Sequence, residues 1–203
     1  MRIVVLASGR GSNFEAIASA VRDNVVPRST VVGLLSNNPQ ALALTVAKTF
    51  DVPSSVIDAS DYRAHGKFDR TGYEKELLLE MDAYRPDLVC LAGYMLVLGK
   101  TIIRSYPGRI VNIHPSLLPS FRGLHAQRQA IEAGVQWTGC TVHWVTEELD
   151  SGSIIAQSVL RVERSDTEES LSKRLLAVEH ETYVRALREI ALSMQGVSGA
   201  PVF

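Results

Sequence analysis

Cysteine is scarce in this sequence: Cys90 and Cys140 are the two among 203 residues. That excludes a disulfide framework and any Cys-based zinc spacing. Cys90 lies in the apolar run Leu88-Val89-Cys90-Leu91-Ala92, where a buried, inert thiol is expected. Net charge is nearly absent as well, with 21 Lys+Arg against 22 Asp+Glu and a formal net charge of -1. Such a chain has no global attraction for phosphate backbones or acidic membranes, so no nucleic-acid or membrane partner is expected and any anion must be gripped locally. No apolar run reaches the roughly 20 residues that cross a bilayer. The amino terminus opens on the strand-like Arg2-Ile3-Val4-Val5-Leu6 rather than on a signal segment, so the expected compartment is the cytoplasm. Internal repeats, low-complexity blocks and interdomain linkers are also missing.

What is present reads as an ordinary globular chain, 46% hydrophobic and 21% charged. One domain over residues 1–193 is expected, followed by a tail over 194–203 that is rich in Gly and Ser, carries Pro201 and should fray. Apolar runs at 2–7, 31–35, 55–57, 88–92 and 110–113 read as strands. Helical spacing follows the first run (Phe14, Ile17, Ala18, Val21) and recurs near 41–49 and 73–84. Strands alternating with helices imply an α/β fold with a parallel sheet and helices on its faces. The pattern then changes to a loop, a short helix near 126–133, and two strands near 141–145 and 154–162 joined by a polar turn, a pair placed at the sheet's edge. Asp166 and Glu169 read as a capping pair for a long last helix carrying Leu171, Leu175, Val178, Tyr183, Leu187 and Ile190.

The first strand runs into Gly9-x-Gly11-Ser12-Asn13 and then into a helix, so unpaired N–H groups and a positive dipole end converge there. The glycines can serve the bend alone or an anion. A dinucleotide site would want glycine at Phe14 and an acidic residue ending the second strand, which instead ends Ser36-Asn37-Asn38. A triphosphate site would want Gly-Lys-Ser/Thr, which is absent. A single phosphate monoester is the ligand that remains.

The second constellation is Asn112-Ile113-His114-Pro115, an apolar strand ending in two polar side chains one residue apart. Strand alternation puts Asn112 and His114 on one face, and Pro115 keeps His114 extended. Both side chains can donate to the oxygen that becomes negative when a nucleophile adds to a carbonyl, which is what acyl transfer needs. They can equally satisfy loop carbonyls. Asp150, in Thr146-Glu147-Glu148-Leu149-Asp150-Ser151-Gly152, is the candidate third member, although its turn also reads as solvated charge.

Together, Gly9-x-Gly11-Ser12-Asn13, Leu91-Ala92-Gly93-Tyr94-Met95, the string from Asn112 through Pro119, and Glu148-Leu149-Asp150-x-Gly152 resemble the phosphoribosylglycinamide formyltransferase family in content and order. The resemblance covers roughly residues 1 to 190. It implies a Rossmann-like fold: an open, mostly parallel sheet with helices on both faces and an antiparallel extension near the C-terminal part. It also implies transfer of a formyl group from 10-formyltetrahydrofolate to the amine of glycinamide ribonucleotide, with no metal required. By the same resemblance Asn112, His114 and Asp150 are catalytic, Asp150 assisting proton movement. Gly11, Ser12 and Asn13 would hold the substrate phosphate, and Glu179 the ribose hydroxyls. Folate would lie against Arg70, Met95, Leu96, Val97, Leu98, Asn112 and the segment Thr146, Glu147, Glu148, Leu149, Asp150. The chain departs from the family at Leu96, where some bacterial members carry arginine, and at Ser153, where proline is common. Rival readings are methionyl-tRNA formylation and formyltetrahydrofolate hydrolysis, whose enzymes carry an additional domain with no counterpart here, and a noncatalytic phosphate-ligand module. Either a monomer or a homodimer is compatible with the sequence.

Overall fold

The computed structural model describes residues 1–194 and 196. It opens with β1 (Arg2–Leu6), a strand buried on both sides. Ile3 and Val5 enter one hydrophobic core, and Val4 and Leu6 enter the other. A continuous apolar run is what such a strand requires. There follow α1 (Ser12–Arg22), β2 (Thr30–Ser36), α2 (Leu42–Thr49), β3 (Ser54–Val56), a small hairpin of β4 (Arg63–Ala64) and β5 (Lys67–Phe68), and α3 (Arg70–Ala83). The chain continues through β6 (Leu88–Leu91), α4 (Lys100–Ser105), β7 (Ile110–His114), α5 (Ala126–Glu132), β8 (Trp137–Trp144), β9 (Ile154–Arg161) and α6 (Glu168–Ser193).

Seven strands form one sheet in the order β3-β2-β1-β6-β7-β8-β9. Pairing is parallel from β3 to β7 and antiparallel for β7–β8 and β8–β9. The expected open, mostly parallel sheet with an antiparallel extension is therefore what forms. One face packs α1, α2 and α6 through Phe14, Ile17, Ala43, Ala47, Leu175, Tyr183 and Leu187. The other packs α3 and α4 through Tyr73, Leu77, Met81 and Ile102. Strand order reverses between β1 and β6, and open α/β sheets form their ligand crevice at the carboxyl ends of strands around that reversal.

Several boundaries differ from the sequence expectation, each for a local reason. α3 starts at Arg70 rather than 73, because Asp69 caps it by accepting from the Gly72 N–H at 3.0 Å. β8 starts at Trp137 rather than 141, since pairing with β9 extends to Trp137↔Arg161. The last helix is capped by Thr167 and Ser170 in a reciprocal box, correcting Asp166 and Glu169. Asp166 instead accepts from the Glu163 N–H and the Ser170 hydroxyl and pairs with Arg174 at 2.5 Å. The expectation of a frayed tail falls on residues that, from 195 onward apart from 196, lie outside the described ones.

Candidate active site

The loop between β1 and α1 is fixed from behind. Gly11 caps α1 with φ 82, and a Cβ there would sit 2.6 Å from the Ala43 Cα, so both backbone sign and space require glycine. The Ala43 N–H donates to the Gly9 carbonyl at 3.1 Å, tying the loop to α2. No side chain caps α1. Its first N–H groups therefore face the cleft without intrahelical acceptors. Asn13 is buried and donates Nδ2 to the Glu179 carboxylate at 2.9 Å, and its Oδ1 has no partner among the described residues. Glu179 is only 7% exposed. Burial pushes its carboxyl above the usual range, with the Asn13 hydrogen bond opposing.

The end of β7 lies across the same cleft. Asn112 and His114 share a face by alternation, and the antiparallel register sets His143 of β8 directly opposite Asn112, with Thr141 opposite His114. His114 is 5% exposed. Its Nε2 lies 2.8 Å from the Phe121 carbonyl, an acceptor, so Nε2 carries the hydrogen. Nδ1 of the same ring stands 3.4 Å from Asp150 Oδ2. Asp150 is buried, has φ 48, and accepts from the Gly123 N–H at 2.9 Å. The turn after β8 thus brings a carboxylate back to the strand ends, which a sequence reading alone leaves open.

The remaining wall is the segment after β6 and the acidic turn. Met95, Leu96, Val97 and Leu98 line the cleft, as do Thr146, Glu147, Glu148 and Leu149. Met95 and Val97 are exposed and Leu98 is buried. Glu147 is ion-paired with Arg104 at 2.7 Å and Lys100 at 3.3 Å, and the Arg104 hydrogen bond holds its carboxyl below the usual range. Arg70 does not line the cleft. It stands behind the loop, donating to the Val97 carbonyl at 2.5 Å and pairing with Glu74 at 3.3 Å. Leu96, half-buried, supplies no polar group.

Three contributions escape a reading of the sequence. His143 is buried, its Nε2 3.3 Å from Asn112 Nδ2 and 3.7 Å from Asp150 Oδ1. Its signal was present in the alternation Thr141, His143 along β8, but only the pairing register makes it a neighbour of Asn112. Among the described residues Arg10 is the one Lys or Arg lining the cleft, whose wall also includes the carboxylates Glu147, Glu148, Asp150, Glu168 and Glu179. The buried Glu74, third, accepts from the Gly99 N–H at 2.7 Å, while the Tyr73 and Tyr94 hydroxyls bond one another, so α3 anchors both ends of the 94–99 segment.

The cleft holds about 960 Å³, at the upper end of the range for small-molecule sites. Its two ends differ. One offers helix N–H groups and acceptors for hydroxyls, and the other an apolar wall edged by backbone groups, with the Asn112, His114, Asp150 cluster between. Among the described residues no group of three or more His, Cys, Asp or Glu is arranged to hold a metal ion. Both thiols are buried, Cys90 pushed up to about 12 and Cys140 to about 11, so neither is a nucleophile.

Comparison with known proteins shows what the whole chain is similar to. Residues 1–187 match the family model described as formyl transferase. The chain is 41% identical over 183 residues to phosphoribosylglycinamide formyltransferase of Escherichia coli (strain K12), covering 90% of this chain and 84% of that protein. It is 44% identical over 187 residues to the trifunctional purine biosynthetic protein adenosine-3 of Drosophila melanogaster, covering 92% of this chain but spanning only 14% of that protein's length. The crystal structure of glycinamide ribonucleotide transformylase 1 from Symbiobacterium toebii superposes with a TM-score of 0.89 at 42% identity, covering 95% of this chain and 88% of that one.

Proposed function

The chain belongs to the formyl transferase family, and from that premise we propose that it moves the formyl group of 10-formyltetrahydrofolate onto the amine of glycinamide ribonucleotide in de novo purine biosynthesis. The observation that carries this reading is the meeting of Asn112, His114 and Asp150 in one cleft, with the glycine loop and the start of α1 at one end and an apolar wall at the other. In the proposed assignment Gly11, Ser12 and Asn13 hold the phosphate, and Glu179 and Asn13 Oδ1 accept from the ribose hydroxyls. Met95 to Leu98 and Thr146 to Leu149 flank the folate, with Arg70 acting through the Val97 carbonyl rather than from the cleft.

The amine lone pair attacks the formyl carbon, and the carbonyl π pair moves onto oxygen. Collapse of that tetrahedral intermediate breaks the bond to the folate nitrogen. One proton must leave the amine and one must reach the departing nitrogen, and Asp150, whose carboxylate lies beside His114, would relay it through water. Asn112 is the donor at hand for the oxyanion: His143 takes one Nδ2 hydrogen and leaves the other. His114 joins only when its Nε2–H exchanges the Phe121 carbonyl for the substrate oxygen. Holding both substrates in one cleft supplies much of the rate.

Residues 1–193 would act as one catalytic unit, a cytoplasmic monomer or homodimer without nucleic-acid or membrane partner. No helix among the described residues is long and apolar enough to cross a membrane. The test is incubation with both substrates and with each alone. Tetrahydrofolate should appear only when the amine is present, in step with formylglycinamide ribonucleotide. Tetrahydrofolate released without the amine would replace this reading by hydrolysis, and no turnover under any condition would leave a binding module.

A further inference from the structure

We infer that His143 is a positioning residue that fixes which end of the Asn112 carboxamide faces the transfer site. The inference rests on the proposed formyl transfer, which gives Asn112 its task. The argument starts from the other ring nitrogen. Nδ1 of His143 lies 3.0 Å from the backbone carbonyl of Trp144, which can only accept, so Nδ1 carries the hydrogen. His143 is 2% exposed, and burial pushes its pKa down, with the Trp144 bond and Asp150 opposing, so the ring is neutral at ordinary pH. A neutral imidazole protonated at Nδ1 presents a bare lone pair at Nε2.

That lone pair lies 3.3 Å from Asn112 Nδ2. With the amide in this orientation the contact is an N–H···N hydrogen bond. With the amide reversed, Oδ1 would meet the lone pair at the same distance, two acceptors facing one another in a buried site, which carries the cost of an unmade hydrogen bond. His143 therefore selects the donor end of Asn112 for the side shared with Asp150, whose Oδ1 lies 3.7 Å from the same Nε2. The groups facing His143 are Asn112, Asp150, His114 and the Trp144 carbonyl, and none offers a proton to Nε2 in competition except His114, whose own Nε2–H is held by Phe121.

The strand geometry that achieves this is particular. β8 shifts register against β9 between Val142 and His143, and the Trp144 N–H donates to the Ser153 carbonyl at 3.0 Å. Such irregularities re-aim a side chain. The result is a ring clamped at one nitrogen by its own strand and presenting the other to the opposite strand. Glutamine or asparagine could offer the acceptor but could not donate to Trp144 from the same rigid frame.

Two measurements decide the matter. Nitrogen NMR of the intact, histidine-labelled protein between about pH 6 and 8 should show the His143 ring protonated at Nδ1 and bare at Nε2. A ring protonated at Nε2, or an imidazolium at neutral pH, would overturn the inference whatever the enzyme's substrate proves to be. The second is a cycle of Asn112→Ala, His143→Ala and the double variant, read as kcat and KM with both substrates. Removing an oxyanion donor costs on the order of 10² to 10³ in turnover. His143→Ala should lose at least about tenfold in kcat with both KM values nearly unchanged, and the double variant should be no slower than Asn112→Ala alone. Losses that multiply, or an unchanged kcat in His143→Ala, would show that the ring is merely part of the core. If His143→Ala fails to fold, His143→Phe, which fills the space without offering Asn112 an acceptor, takes its place in the cycle, with the same non-additivity expected. Absence of formyl transfer in the unaltered protein would refute the functional reading instead, and the nitrogen spectrum would still judge the hydrogen-bond arrangement.

Discussion

Glu179 combines a cost to the fold with the ribose-binding role proposed for it. Burial raises its carboxyl pKa above the ordinary value of 4.5, so the folded protein holds that proton more tightly than the unfolded chain does. Stability from this group is therefore lost as pH rises from the ordinary carboxylate range through the raised value. Glu179→Gln keeps an acceptor for Asn13 and removes the titration. The variant should melt at a higher temperature than the parent at pH 7, with the difference closing toward about pH 4.5, the ordinary carboxylate value. Its KM for glycinamide ribonucleotide should rise roughly tenfold or more, because a hydrogen bond to a charged acceptor is replaced by a neutral one. Thermal melts across pH and a substrate titration check the two halves separately. At this scale the sequence was partly legible. Asn112 and His114 stood out because alternation and Pro115 placed them, whereas His143 and Arg10 did not, because their significance lies in who stands opposite. Arg70 had the right chemistry for a folate carboxylate but points its guanidinium at a backbone carbonyl and at Glu74.

Among the elements, the acidic turn between β8 and β9 is the most constrained by backbone. A Cβ on Gly152 would lie 1.7 Å from the Trp144 carbonyl oxygen, so the turn can pass only where a glycine is. Gly152→Ala must push the turn away from β8 and carry Asp150 with it. The expected result is a fall in kcat of about tenfold or more alongside a loss of stability, since a misplacement near 1 Å can cost 10²-fold. Steady-state kinetics beside a denaturation curve would separate the two effects, and an unchanged kcat would show that Asp150 is not held by this turn. The cap of α6 offers a milder test. Thr167→Ala breaks the box with Ser170 and should cost about 1 kcal/mol in a denaturant titration, leaving kcat intact. The capping pair was misread by one residue because Asp166, Thr167, Glu169 and Ser170 all fit the local pattern. Only the turn at 163–166, which uses Asp166 to bind the Glu163 N–H, decides among them. Helix α4 and the β4–β5 hairpin left no periodic signal, being six residues and two short pairs.

Across the whole molecule, the sequence pattern predicted the parallel half of the sheet and its antiparallel edge, because buried parallel strands are apolar runs and alternation changes after residue 113. What it could not predict was the pairing order, and the order creates the site. Placing β6 beside β1, and β8 antiparallel to β7, brings the glycine loop, the Asn112 and His114 strand end and the acidic turn to one crevice, although the first lies about a hundred residues before the other two. Asp150 is the member that depends most on this assembly, and its replacement is the most direct measurement. With both substrates saturating, Asp150→Asn, which retains the shape and an acceptor for Gly123, should transfer formyl groups on the order of 10² to 10⁴ times more slowly than the parent. A rate within about twofold of the parent would contradict the proposal that this carboxylate moves the proton.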